Sequence, residues 1–145
     1  MEIFTIGFTQ RSAREFFGTL RRAGIKRLVD VRLNNTSQLA GFSKRDDLEY
    51  FLGELCGAQY VHEPLLAPSE DLFTAYKKAG GAWSVYEAGF RALLQERQVE
   101  RVLDRASFAV PSVLLCSERT AEHCHRRLVA EYLRAAWGDV GITHL

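Results

Sequence analysis

No apolar run in this sequence approaches the roughly 20 residues that a membrane-spanning helix requires. The opening stretch, Met1 to Gly7, has no basic region leading into an apolar segment, so neither a span nor a secretory leader is expected. Cysteine is scarce and odd in number, with three residues at 56, 116 and 124. That count fits a reducing cytoplasm better than a disulfide scaffold, and a cytoplasmic chain is expected. Neither charge sign is in excess: 19 basic residues face 18 acidic ones, for a net charge of +1. A general electrostatic grip on nucleic acid or an anionic membrane is therefore not favoured, although a local basic patch stays open. There is no Walker loop, no Gly-x-Gly-x-x-Gly fingerprint and no Gly-x-Ser-x-Gly elbow. Internal repeats, low-complexity segments and interdomain linkers are also missing.

What remains is an ordinary globular composition, 47% apolar and 26% charged over 145 residues, which is most simply one domain with a sizeable core. Residues 2–6 read as a strand ending at Gly7. Ser12 to Glu15 forms a capping box, and the helix behind it carries Phe16, Phe17, Leu20 and Ala23 until Gly24 stops it. Residues 25–31 make a second strand, so the first three elements form a βαβ unit with a parallel pair. A turn-rich loop over 33–42 follows at a strand's carboxyl end. Ser43 opens a helix with Leu48, Phe51, Leu52 and Leu55, stopped near Gly57. Residues 58–62 are a third strand, Pro64 and Pro68 enforce a loop, and a short helix runs from about Ser69 to Ala79. Ser84 to Glu87 reads as another capping box, and Val99 to Arg105 as an extension or a separate helical turn. Residues 112–116 are a fourth strand, followed by a helix to about Trp137. The tail is open between a further strand and none. The expected fold class is α/β: one three-layer domain with a mainly parallel sheet of about four or five strands flanked by helices.

The organising stretch is Pro111 to Leu133, where an apolar strand reaches Cys116, turns through polar residues and becomes an amphipathic helix. In open α/β sheets, ligands bind at the carboxyl ends of strands, where helix N-termini point. Several separated pieces resemble one family: Thr5-Ile6-Gly7 with Arg11-Ser12, Val29-Asp30-Val31-Arg32, Tyr60 to Pro64, and Leu115-Cys116 with Cys124-His125-Arg126. Together they look like the domain of unknown function 488 family from near residue 3 to near residue 134. The cysteine followed after seven residues by Cys-His-Arg is the most specific piece. The resemblance implies a compact α/β protein of bacterial or archaeal type and no settled activity. Many members carry His-Ser after Thr-Ile-Gly where this chain has Phe8-Thr9, and a Gly pair where it has Leu65-Leu66-Ala67. A role for that histidine in relatives would be missing here.

The chemistry on offer lies at the carboxyl edge. Cys116 ends a strand before a helix, where amides and Arg119 could favour the thiolate; otherwise it is a small buried apolar residue. Cys124, taken as one turn into the helix, shares a stripe with Leu128 and Tyr132 and is expected to face inward. The two cysteines allow a redox pair, although the spacing is not the thioredoxin type. His125 is either a hydrogen-bonded core-edge residue or a proton carrier, and His123 is expected to face solvent. Arg11, Arg32, Arg119, Arg126 and Arg127 follow different strands and would converge on one edge as anion binders. The competing reading pairs them with Asp30, Glu118 and Glu122 as structural salt bridges. Asp30, Tyr60 and His62 are expected to support the site. The phosphatase loop Cys-x5-Arg is excluded because Glu122 stands six residues after Cys116, and a rhodanese-like loop is made less inviting by Glu118 and Glu122. The aromatics Phe8, Phe42, Tyr60, Trp83 and Tyr86 belong first to the core, and secondly to a base-stacking surface.

The leading expectation is an enzyme-like pocket binding a small phosphorylated or nucleotide-like anion. Arg11, Arg32, Arg119 and Arg126 would hold it, Cys116 or Cys124 would be the reactive thiol, and His125 the proton carrier. A non-catalytic nucleic-acid- or protein-binding module is the second class, and a thiol or metal sensor the third. No cofactor is expected. Zinc is the metal that Cys116, Cys124, His125 and His62 could take, but a helical Cys124-His125 pair would diverge by about 100°.

Overall fold

The computed structural model describes residues 1–36 and 41–145. Five strands form one all-parallel sheet: β1 (Glu2–Gly7), β2 (Arg27–Asp30), β3 (Gln59–His62), β4 (Ser112–Cys116) and β5 (Gly141–His144), in the spatial order β3-β2-β4-β1-β5. The tail thus completes one edge of the sheet, pairing with β1. Among the described residues, six α-helices flank the sheet: α1 (Ala13–Arg22), α2 (Arg45–Cys56), α3 (Glu70–Phe73), α4 (Trp83–Arg97), α5 (Val99–Val102) and α6 (His125–Trp137). The α/β three-layer class is as the hydrophobic pattern dictates. None of the helices is long and apolar enough to cross a membrane among the described residues.

Strand alternation divides the core in two. Val113 and Leu115 of β4 face one layer with Ile6, Leu28, Phe16 and Phe17 of α1, and Leu48 and Leu52 of α2. Leu114 and Cys116 face the other, with Val29, Phe90 and Leu94 of α4, and Leu128, Val129 and Leu133 of α6. The same alternation that packs β4 therefore points Cys116 toward α4 and α6. Because β4 is central, its carboxyl end lies between those of its two neighbours: Gly7 is in register with Cys116, and Asp30 with Leu115.

Local chemistry sets most boundaries. Ser12 caps α1 by accepting from the Glu15 amide, and Gly57 ends α2 in the left-handed region at φ 59°. The Ser84 to Glu87 capping box does not form. Helix α4 starts at Trp83 with Ala82 as its uncapped N-terminal neighbour. Gly81 donates to the Ala75 carbonyl, and Trp83 and Tyr86 pack on Tyr76, so the chain enters the helix before Ser84. The short helix expected to Ala79 is α3 continued by a wider turn over Thr74–Lys78. The loop expected over 33–42 lies partly outside the described residues. Its described parts are irregular at 33–36 and a 3-10 turn at Gly41–Ser43.

The larger correction concerns Cys124. The residue does not lie one turn into α6. It is the extended residue immediately before it, at φ −134° and ψ 137°. Residues 117–124 form a loop in which the carbonyls of Ser117, Glu118, Arg119 and Glu122 accept from side chains. Fully buried Arg126 donates to the carbonyls of Glu118 and Arg119 and to Thr5 Oγ1.

Candidate active site

The site is built outward from Asp30. This carboxylate is fully buried and receives two bonds from the Arg32 guanidinium, Nε to Oδ1 and Nη2 to Oδ2, each at 2.8 Å. The Arg32 amide donates to Oδ1 at 3.1 Å, and the Tyr60 hydroxyl donates to Oδ2 at 2.6 Å. Asn35 Nδ2 donates to that hydroxyl, and the His62 ring meets the Arg32 carbonyl at 3.2 Å. Burial first, then the bond to Asp30, pushes the Tyr60 phenol above its ordinary range, so it stays a donor. A planar fork on a carboxylate fixes geometry as well as charge. Here it shapes the chain from Asp30 to Arg32 and with it the direction of the Val31 carbonyl.

That carbonyl accepts from His125 Nε2 at 2.6 Å. A carbonyl can only accept, so Nε2 carries a proton, and in the neutral ring the Nδ1 lone pair is left for another partner. Nδ1 lies 3.5 Å from Cys116 Sγ. Helix α6 begins at His125, and its first residue is thereby held between two strand ends.

Cys116 is 6% exposed and Cys124 2%. The Cys116 thiol is held below the ordinary thiol range. A hydrogen bond from Cys124 is the main cause. It acts against burial and is helped by the Arg126 charge and the backbone amides of Glu118 and Ser117. Cys124 is driven well above that range by burial and by its neighbour Cys116, so it remains a protonated donor. The sequence-based picture of diverging Cys124 and His125 side chains is overturned, because Cys124 stands outside the helix. Among the described residues, the ligand atoms of Cys116, Cys124 and His125 all lie within 4.8 Å of one another, a set that could hold a metal ion. His62, bonded to the Arg32 backbone, is not among them.

Arg32 and the two cysteines with His125 line a cavity of about 300 Å³, whereas Asp30, Tyr60 and His62 stand behind it. Arg32, Cys116, Cys124 and His125 were expected at such a place. Tyr76, Lys77 and Glu118 join them on the wall, with Tyr86 and His123. Lys77 and Glu118 form an ion pair, and His123, exposed as expected, stacks on Trp83 with centroids 5.0 Å apart. Tyr76 and Tyr86 stack at 4.6 Å. Tyr76 and Lys77 belong to no motif in the sequence; their position on the connection after β3 is the one signal it carries for them.

The arginines do not converge as expected. Arg32 lines the cavity, and its Nη1 is buried with no hydrogen-bond partner among the described residues. Arg126 is instead committed to holding the 117–124 loop. Arg119 donates to the Gln10 carbonyl at 2.9 Å, and Arg11 to the Leu145 carbonyl at 2.9 Å and to Glu15. All three reach backbone carbonyls, and none of them lines the cavity. Arg127 joins Glu87 and Glu131.

Residues 12–133 match the model of the family described as Domain of unknown function DUF488. No curated protein and no solved structure matches the chain.

Proposed function

The chain belongs to the DUF488 family, and from that premise we propose that it is a group-transfer enzyme in which Cys116 is the nucleophile. The observation that carries this reading is the relay Val31 carbonyl, His125, Cys116 on the lining of a cavity. A nucleophile beside a base that is itself oriented by a third group is the general arrangement of covalent catalysis. Cys116 Sγ would bond to the electrophilic atom of the substrate, its proton passing to His125 Nδ1. His125 would return that proton to the leaving group, and water or a second acceptor would release the transferred group.

The substrate is small and carries an anionic group near a planar portion. Arg32 Nη1 offers an unmatched donor, and the amides of Ser117 and Glu118 face the sulfur. The Tyr76–Tyr86 wall suits a flat, unsaturated surface. Asp30 and Glu118 offset Arg32 and Lys77, so a single negative charge fits better than a phosphate dianion.

Iodoacetate tests this, since it pairs an electrophile with one carboxylate. Each cysteine's labelling rate is followed by peptide mass analysis, with iodoacetamide as the neutral control. We expect iodoacetate to label Cys116 ahead of Cys56, with an iodoacetate-to-iodoacetamide rate ratio at Cys116 at least about tenfold above that at Cys56. His125→Asn should slow Cys116 labelling while leaving Cys56 unchanged. A Cys116 that reacts no faster than Cys56 would favour a non-catalytic binding module instead.

A further inference from the structure

We propose that Cys116, Cys124 and His125 bind one zinc ion per chain, and that this ion switches off the nucleophile. The inference rests on the proposed role of Cys116 for its consequence, but not for its geometry. In a tetrahedral zinc site, Zn–S of about 2.3 Å and Zn–N of about 2.0–2.1 Å place sulfur and nitrogen about 3.6 Å apart. Cys116 Sγ and His125 Nδ1 are already 3.5 Å apart. The ligand atoms of Cys116, Cys124 and His125 all lie within 4.8 Å of one another, so closing the set needs only a small side-chain adjustment.

The surroundings match as well. His125 Nε2 donates to the Val31 carbonyl, which fixes the tautomer with Nδ1 free to ligate, as the outer partner of a zinc-bound histidine does. All three side chains are buried, and their backbones are held apart from the metal's own contribution. Arg126 ties down the loop between the two cysteines, and the Asp30–Arg32 pair sets the histidine's partner. The three ligands share a wall of the cavity, which leaves the fourth position to water or a small ligand. Three protein ligands with an open place are the pattern of a reactive zinc site. Two thiolates and an imidazole exclude magnesium and calcium, which take oxygen donors.

Binding releases two thiol protons and consumes the lone pairs that Cys116 and His125 use in group transfer. Zinc and an electrophile therefore compete for the same sulfur. The test uses full-length protein freed of metal with EDTA, loaded with zinc chloride and passed through a desalting column. Wild type and Cys56→Ser should retain one zinc per chain. Cys124→Ser and Cys116→Ser, shown to be folded by circular dichroism, should retain none. Zinc should slow iodoacetamide labelling of Cys116 at least about tenfold, and EDTA should restore the rate. Cobalt(II) in place of zinc should give a thiolate-to-cobalt charge-transfer band that Cys124→Ser lacks. No retained zinc in the wild type, or equal retention by Cys124→Ser, would overturn the proposal. Metal-free Cys116 that labels ahead of Cys56 but holds no zinc removes the metal and leaves the nucleophile. Retained zinc with a metal-free Cys116 slower than Cys56 does the reverse.

Discussion

Asp30 is the residue on which the site depends most, because its carboxylate sets the chain segment whose carbonyl orients His125. Asp30→Asn leaves the Arg32 guanidinium buried at 2% exposure without its counter-charge. Breaking one partner of such a pair costs about 3–5 kcal/mol, and urea unfolding should show a loss of that size together with slower labelling of Cys116. Replacing both Asp30 and Arg32 by apolar residues should cost less than the single change, since no buried charge is then left unpaired. Gly7 is the second sensitive position. A Cβ there would stand 1.6 Å from the Glu118 carbonyl oxygen and 3.0 Å from Arg126 Nη1. Gly7→Ala must therefore push the loop after Cys116 away from β1. It should destabilise by about 1–3 kcal/mol, the usual range for a forced overlap in a packed region, with the Cys116 labelling rate altered in the surviving fold. By contrast, Gly53→Ala meets nothing within 4 Å and should leave labelling unchanged.

Among the elements, β5 and the α4–α6 pair answer acid in different windows. Arg126 Nε donates to Thr5 Oγ1, so the Thr5 hydroxyl proton is free to go to His144 Nδ1, 2.7 Å away. Burial first, then the Arg126, Arg127 and Arg134 charges, lower the His144 pKa, with Glu131 opposing. An unfolded histidine near 6.5 then binds more protons than the folded one, so stability falls as pH drops below about 6.5. Amide exchange in β5 should quicken on going from pH 7.5 to 5.5, after correction for intrinsic rates, and His144→Gln should blunt that change. Glu131 behaves differently. Burial raises its carboxyl, but hydrogen bonds and charge from Arg91 and Arg127 more than offset that and leave it below the ordinary range. Its contribution is present above the unfolded value of about 4.3 and disappears as pH falls through the folded one. Loosening between α4 and α6, which Glu87, Arg91, Arg127 and Glu131 bridge, is therefore expected only below about pH 4. Identical pH profiles for β5 and for this helix pair would contradict the assignment.

At the scale of the molecule, the fold was largely legible because it follows from local pattern. Apolar runs near residues 3, 28, 60 and 114 became parallel strands, and Ser12 and Gly57 ended or began helices as their chemistry requires. The tail was not legible, since β5 is an edge strand whose residues are only partly buried or exposed. That Cys116, Cys124, His125 and Asp30 lie near the carboxyl ends of strands was legible from spacing. Their mutual arrangement was not. The start of α6 is decided by Arg126 reaching back to the 118 and 119 carbonyls, a tertiary interaction that helix periodicity cannot encode. The same cause misled the expectation for the arginines: charge and position were visible in the sequence, but not the backbone carbonyls that Arg11 and Arg119 satisfy. The proposed chemistry requires Cys116 to act as a nucleophile in a pocket with a place for a single anionic group. The most direct measurement is a crystal structure of the protein after reaction with one equivalent of iodoacetate. A carboxymethyl group is expected on Cys116, its carboxylate meeting Arg32 Nη1 or the Ser117 and Glu118 amides, with His125 still bonded to Val31. A label on Cys56 alone, or a Cys116 adduct whose carboxylate turns away from those donors into solvent, would contradict it.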